Sequence, residues 1–216
     1  MTPSIDELVV GDDPAAWVGA GFTVDDDAVS RVGTVRIRLV GPDGGRGIRS
    51  WSLRDTVPAE VETWAGGSID GLLTTASERE PASGATHPLG VTAIDHLVLA
   101  SPDSARTTAA LESVGFDVRR VRRTDSYGSP MSQTFFRAGE VVLELVSPLE
   151  PGADGRPAAF FGLAFTVDDL AGAADRLGPA MSASKDAVQP GRRIATLRHR
   201  DLGLSVAIAL MSPEPA

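Results

Sequence analysis

The strand-like segment IDHLVLA (94–100) places His96 at its third position, and the apolar run EVVLELVS (140–147) carries Glu144. An imidazole and a carboxylate set among apolar residues are costly unless something pairs with them. Strand alternation puts Ile94, His96 and Val98 on one face and Leu97 and Leu99 on the other. Val142, Glu144 and Val146 likewise share a face, opposite Val141, Leu143 and Leu145. The wholly apolar faces are suited to meet a helix, which leaves His96 and Glu144 together on the opposite side. Two chemistries fit such a pair. Imidazole and carboxylate could hold a divalent metal of the Zn, Mn, Fe or Ni kind, or they could act without metal as an acid–base couple. A metal wants about three or four protein ligands. Glu7 is a candidate third, because it stands where His96 stands in the near-copy IDELVVG (5–11). It could serve if the N-terminal region folds over the site or a second subunit contributes. Without metal, His96 and Glu144 could hydrogen-bond each other or an arginine such as Arg193.

Other candidates surround the pair. Gln133 and Phe135 share a face of SQTFFRA (132–138), and Tyr127 sits in the loop just before it. Amide and aromatic groups suit a small, partly apolar organic ligand, although packing is an equally ordinary use of Phe135. Arg193, at a strand entrance after Gln-Pro-Gly, could meet an anionic substrate. The plainer expectation for Arg192 and Arg193, and for the arginines of RRVRR (119–123), is a solvated strand face. His87 and His199 fall in turn-rich text and are expected to be exposed.

The elements that position these residues repeat along the chain. After IDHLVLA comes Ser101-Pro102, read as a helix start, then an apolar stripe through Thr108, Leu111 and Val114 that ends at Gly115. Three strand-like pieces follow, to Ser147-Pro148. The same β-α-β-β-β order returns from GLAFTV, with Asp168 as helix cap, to Ser212-Pro213. Aligning the strand starts pairs His96 with Gly162, and aligning the Ser-Pro endings pairs Glu144 with Ala209. These are offsets of 66 and 65 residues. Counting from the Gly203 turn pairs Glu144 with Ala207 instead. A shorter third copy begins at IDELVVG, and its strands VRIRLVG and GIRSWSL are joined by an expected hairpin turn at Asp43-Gly44-Gly45. The reading is an α+β chain with a shorter βαβββ-like unit at 1–57, a linker at 58–91, a module bearing His96 and Glu144 at 92–150, and a module lacking the matching ligands at 158–213.

Tandem βαβββ units with Ile-Asp-His in the first strand and Leu-Glu-Leu in the last resemble the vicinal oxygen chelate superfamily. That superfamily includes glyoxalase I, bleomycin-resistance proteins and extradiol dioxygenases. The resemblance implies modules that pair into a β-sheet cup, with metal ligands drawn from the first and last strands of each. It makes His96 and Glu144 two of four ligand positions. Gly162 and Ala209 (or Ala207) leave the other two empty of donors. It further implies a small-molecule substrate or ligand. The chain would then be a lyase, isomerase or oxygenase, a metal-free binder of the bleomycin-resistance type, or a non-catalytic protein-interaction module.

Composition narrows the partners. Net charge is −9, which repels a nucleic-acid backbone or an anionic membrane surface. Cysteine is absent, so disulfides, thiolate metal sites and a Cys nucleophile are excluded together. The N-terminal text has no signal-peptide pattern, and the longest apolar run, LGLSVAIALM, is about half of what a membrane helix needs. A cytoplasmic protein, with homodimerisation open, is the expectation. No dinucleotide fingerprint, phosphate loop or nucleophile elbow is present.

Overall fold

Alternating and amphipathic segments become fourteen strands and three α-helices in the computed structural model, which describes residues 2–56, 67–125, 129–150, 152 and 155–215. The N-terminal region contains β1 (Ser4–Val10), α1 (Pro14–Gly19), β2 (Val29–Val32), β3 (Val35–Leu39), β4 (Ile48–Arg54), β5 (Ser68–Ile69) and β6 (Leu72–Ala76). Next come β7 (Val91–Ala100), α2 (Ser104–Ser113), β8 (Val118–Thr124), β9 (Met131–Ala138) and β10 (Val141–Pro148). The same order closes the chain as β11 (Ala159–Val167), α3 (Leu170–Leu177), β12 (Lys185–Asp186), β13 (Arg193–Thr196) and β14 (Ala207–Met211). The fold is α+β, with mixed sheets and few helices. None of the described helices is long and apolar enough to cross a membrane.

Each complete repeat lays its first strand beside its last. In the first, β10 is parallel to β7 and antiparallel to β9, which pairs with β8. In the second, β14 is parallel to β11 and antiparallel to β13. The N-terminal region uses a shorter form of this rule twice, as β1-β3-β2 and as β4-β6-β5. The stretch 58–91, expected to be a linker, therefore supplies β5 and β6, the latter parallel to β4 through Trp51↔Thr74. Short strands among Gly, Ser and Thr carry too little periodicity to be told from loop text. The expected hairpin at residues 43–45 is also displaced. The hairpin is β2–β3, closing at Val32↔Val35 around Gly33, whose φ of +57° suits the first position of a tight two-residue turn.

Helix starts shift slightly from expectation. Asp103, not Ser101, caps α2 by accepting from Arg106 N at 3.0 Å, while Ser101 Oγ accepts the Asp103 N–H and prolongs the turn. Asp169, not Asp168, caps α3.

The chain divides into two compact units, one of residues 1–7, 50–80 and 96–161, the other of residues 8–49, 81–95 and 162–216. In the first, α2 packs against β9 and β10, over Leu97, Leu99, Val141, Leu143, Leu145 and Phe136, all 1% exposed or less. Trp51 stacks on Phe116 with centroids 6.1 Å apart, and Thr74 accepts its indole N–H at 2.7 Å. Buried aromatic groups keep such polar handles satisfied.

The second unit centres on Trp17, Phe22 and Phe165, with ring centroids 4.7 to 6.4 Å apart. His87, expected to be exposed, is 4% exposed and lies edge-on to Phe22. Its Nδ1 accepts from Thr23 N at 3.0 Å, and its Nε2 lies 3.0 Å from the Arg31 carbonyl oxygen. A backbone N–H must donate and a carbonyl must accept, so the ring is neutral with its proton on Nε2. Protonating Nδ1 would set two N–H groups against each other. Burial holds His87 below its ordinary value of 6.5, an effect partly offset by the Arg31 carbonyl. The unfolded chain therefore binds this proton first as pH falls. Stability from this group is complete above pH 6.5 and is lost as pH drops from there through the lower folded value. Urea midpoints measured from about pH 7.5 to about pH 5 should fall more steeply in wild type than in His87→Gln, which cannot titrate. Equal slopes would show that this imidazole is not buried neutral.

Candidate functional site

Strand register decides what shares the face opposite α2. Val142 lies beside His96 and Glu144 beside Val98 across β10 and β7. Across β10 and β9, Glu144 faces Phe135 and Val146 faces Gln133. Across β9 and β8, Phe135 faces Arg120 and Gln133 faces Arg122. Residues opposed in a ladder point the same way. One face thus carries His96, Glu144, Gln133, Phe135, Arg120 and Arg122, with Val98, Val142 and Val146 between them. The valines and Phe135 are half-buried, in contrast to the fully buried helix side.

The polar members of this face form a chain within the first unit. Arg122 Nε donates to Gln133 Oε1, and Gln133 Nε2 donates to Glu144 Oε1. Glu144 Oε2 then lies 3.7 Å from His96 Nε2. The orientation of the amide is dictated by its neighbours, because a guanidinium can only donate and a carboxylate only accept. Glu144 is 6% exposed and Gln133 2%. One carboxylate oxygen is tied to the sheet and the other turned to the imidazole. The 3.7 Å separation exceeds a hydrogen bond but sits within ion-pair range, so a small displacement or a bound group would close it. Arg122 also lies 6.0 Å from the centre of the Phe135 ring, in cation–π range.

The remaining candidates lie elsewhere or do different work. Tyr127 falls outside the described residues. Arg193 belongs to the other compact unit, where its half-exposed guanidinium pairs with Asp186 at 2.8 Å and donates to the Ser184 carbonyl at 2.6 Å. Arg192, expected on a solvated edge, is buried. It pairs with Asp95 at 2.6 Å and donates to the Ser212 carbonyl. Glu7 meets Arg79 at 3.2 Å, and the same guanidinium holds the fully buried Asp6 at 2.6 Å. Asp6 also pairs with Arg54 at 2.8 Å. Among the described residues, Glu7 thus joins a cluster of two carboxylates and two arginines.

A four-ligand metal centre does not fit this set. His96 and Glu144 are two donors, and among the described residues no group of three or more His, Asp or Glu is arranged to hold a metal ion. The second repeat offers none. Gly162 lies beside Ala207 and Ala164 beside Ala209, so the residue two beyond the partner of Gly162, matching Glu144, is Ala209. Gly162 is also sterically closed. A Cβ there would sit 2.6 Å from the Ala207 carbonyl oxygen, so a histidine could not enter without moving backbone.

Arg122 escaped the sequence reading because RRVRR looks like an exposed basic strand. Its one available signal was parity, since it faces Gln133 once β8 and β9 are placed in register. The aspartates of the two Ile-Asp copies were missed as well, although each takes a buried arginine.

Comparison with known proteins agrees with the architecture. The family model of the Glyoxalase/Bleomycin resistance protein/Dioxygenase superfamily matches residues 93–194. Among solved structures, a mutant 4-hydroxymandelate synthase from Streptomyces coelicolor is similar with a TM-score of 0.65 and 14% identity, over 99% of this chain and 93% of that one. A fusion of a xylose isomerase-like TIM barrel with a 4-hydroxyphenylpyruvate dioxygenase gives a TM-score of 0.60 and 13% identity, over 99% of this chain and 49% of that one. Methylmalonyl-CoA epimerase from Mycobacterium tuberculosis is 21% identical over 58% of this chain and 91% of that one, with a TM-score of 0.47. No curated protein matches the sequence. At these identities the likeness to solved structures is one of fold. The family match covers the strands that carry His96 and Glu144, and over residues 93–194 this chain is similar to the Glyoxalase/Bleomycin resistance protein/Dioxygenase superfamily.

Proposed function

We propose that the chain binds a small oxygen-bearing organic molecule over His96 and Glu144, and that these two side chains serve it as a metal-free proton-transfer couple. The observation that carries this reading is the fixed carboxylate. Gln133 occupies one oxygen of Glu144, while the other is turned toward His96 Nε2 at 3.7 Å. An imidazole so placed can take a proton at Nε2, and the adjacent carboxylate stabilises the imidazolium that results. Returning that proton to a different atom of the same substrate is an isomerisation. Returning it to a leaving group is an elimination, and neither needs an oxidant. The half-buried Val98, Val142, Val146 and Phe135 supply apolar walls for the body of the ligand. The donor count favours the metal-free version, since two ligands fall short of the usual three or four.

Thermal shifts across a panel of small carbonyl and hydroxy compounds test the binding. At a ligand concentration about 100 times Kd, stabilisation of about 2.7 kcal/mol is expected. His96→Ala and Glu144→Gln should both reduce it. Binding without turnover in any isomerase or lyase assay would make the chain a sequestering protein and end the catalytic part of the reading. Metal content after chelator-free purification should be unaffected by either substitution. One equivalent of metal that disappears in His96→Ala would replace the proton-transfer couple with a metal site.

Gln133→Leu tests the support beneath the couple. It strips a partner from both Arg122 and Glu144, and about 1–3 kcal/mol of stability should be lost on urea unfolding. A loss under about 0.5 kcal/mol would mean that the amide does not hold the carboxylate in place.

A further inference from the structure

Resting on the reading above, we infer that the molecule taken over His96 and Glu144 is a small organic anion, with its charged group held by Arg120 and its apolar body lying on Phe135. The charges on this face are unequal. Arg120, Arg122 and Arg137 all fall on it by register, the last beside Val142, against the single carboxylate of Glu144. Three guanidinium groups and one carboxylate leave a surplus of two positive charges, in a chain whose net charge is −9. Like-charged surplus on a half-open face is stabilised by an anion and repels a cation.

Of the three arginines, Arg120 is the one available. Arg122 is committed to Gln133, and Arg137 donates to the Glu140 carbonyl at 3.4 Å. Among the described residues, the exposed Arg120 side chain makes no hydrogen bond or ion pair. It lies directly opposite Phe135, which in turn lies opposite Glu144. Guanidinium, aromatic ring and carboxylate therefore succeed one another across β8, β9 and β10, and His96 stands on β7 two residues from Val98, the partner of Glu144. A planar fork of N–H donors recognises carboxylate or phosphate oxygens in pairs.

Spacing sets the size of the ligand. Three strand intervals separate β8 from β7, about 14 Å at the usual spacing. A ring with a short acidic arm suits such a span better than a two-carbon acid does. An arginine that merely guarded an exposed sheet edge would work equally well on either face. Arg123 lies opposite Ser132, on the other face, and supplies the control.

The test is titration of benzoate, phenylacetate and 3-phenylpropionate, each beside its neutral amide, followed by NMR through the His96 ring resonances and by calorimetry. At least one acid should bind, perturb His96, and exceed its amide in affinity by about tenfold or more. Arg120→Glu should weaken that acid by a similar factor, while Arg123→Glu should not. Equal affinity for acid and amide, indifference to Arg120→Glu, or failure of all three acids overturns the anion assignment. If neutral compounds bind and still perturb His96, the proton-transfer site survives that failure. If bound compounds leave His96 unmoved, both readings fall.

Discussion

A carboxylate placed inside an apolar strand must find donors, and Glu144 finds them in the strand next to it. That need constrains more than one side chain. Gln133 can present its N–H groups to Glu144 only if its oxygen is satisfied elsewhere, and Arg122 on the following strand does so. The register of β8, β9 and β10 is thereby tied to a polar chain as well as to hydrophobic parity. A slip of one residue would send Gln133 and Arg122 to the α2 side and leave Glu144 buried without a donor. The same contacts that make the sheet consistent also aim the second oxygen of Glu144 at His96, so structure and site share one set of bonds.

The twice-written Ile-Asp strand has a related explanation. In β1, Asp6 is fully buried between Arg54 and Arg79. In β7, Asp95 takes the buried Arg192. Each aspartate anchors its strand through a paired, desolvated charge, and removing one partner of such a pair typically costs about 3–5 kcal/mol. The third position then diverges. Glu7 joins Arg79 in the ion cluster, whereas His96 stays with Glu144 on the open face. One strand pattern thus carries a buried aspartate tie in both copies, followed by Glu7 in one and His96 in the other.

The second complete repeat carries no such polar pair at the matching positions. Gly162 and Ala209 occupy the positions of His96 and Glu144, and the backbone at Gly162 approaches Ala207 too closely for any side chain. Small residues let β11 and β14 pack with apolar economy where a donor pair would demand partners. Repeat duplication can therefore leave the polar apparatus on one copy while both copies keep the same strand order.

Much of the architecture was legible in the amino-acid order, because period-two alternation, helix caps and the repeated Ser-Pro endings are local signals. The two complete β-α-β-β-β repeats, the apolar faces of β7 and β10, and the divergence of His96 and Glu144 from Gly162 and Ala209 could all be read there. Strands β5 and β6 could not, since two short segments rich in Ser and Thr become strands through pairing with each other and with β4. His87 and Arg192 defeated composition in the same way. An ionisable group counts as exposed until tertiary structure brings it a neutral acceptor or a carboxylate, here the Arg31 carbonyl and Asp95. The sequence by itself determined the two complete repeats and the parity of β7, β9 and β10, which puts His96 and Glu144 on one face. Tertiary structure alone decided that Gln133 and Arg122 hold Glu144 and that Glu7 is committed to Arg79, because hydrogen-bond partners come from strands adjacent in space and not in the chain.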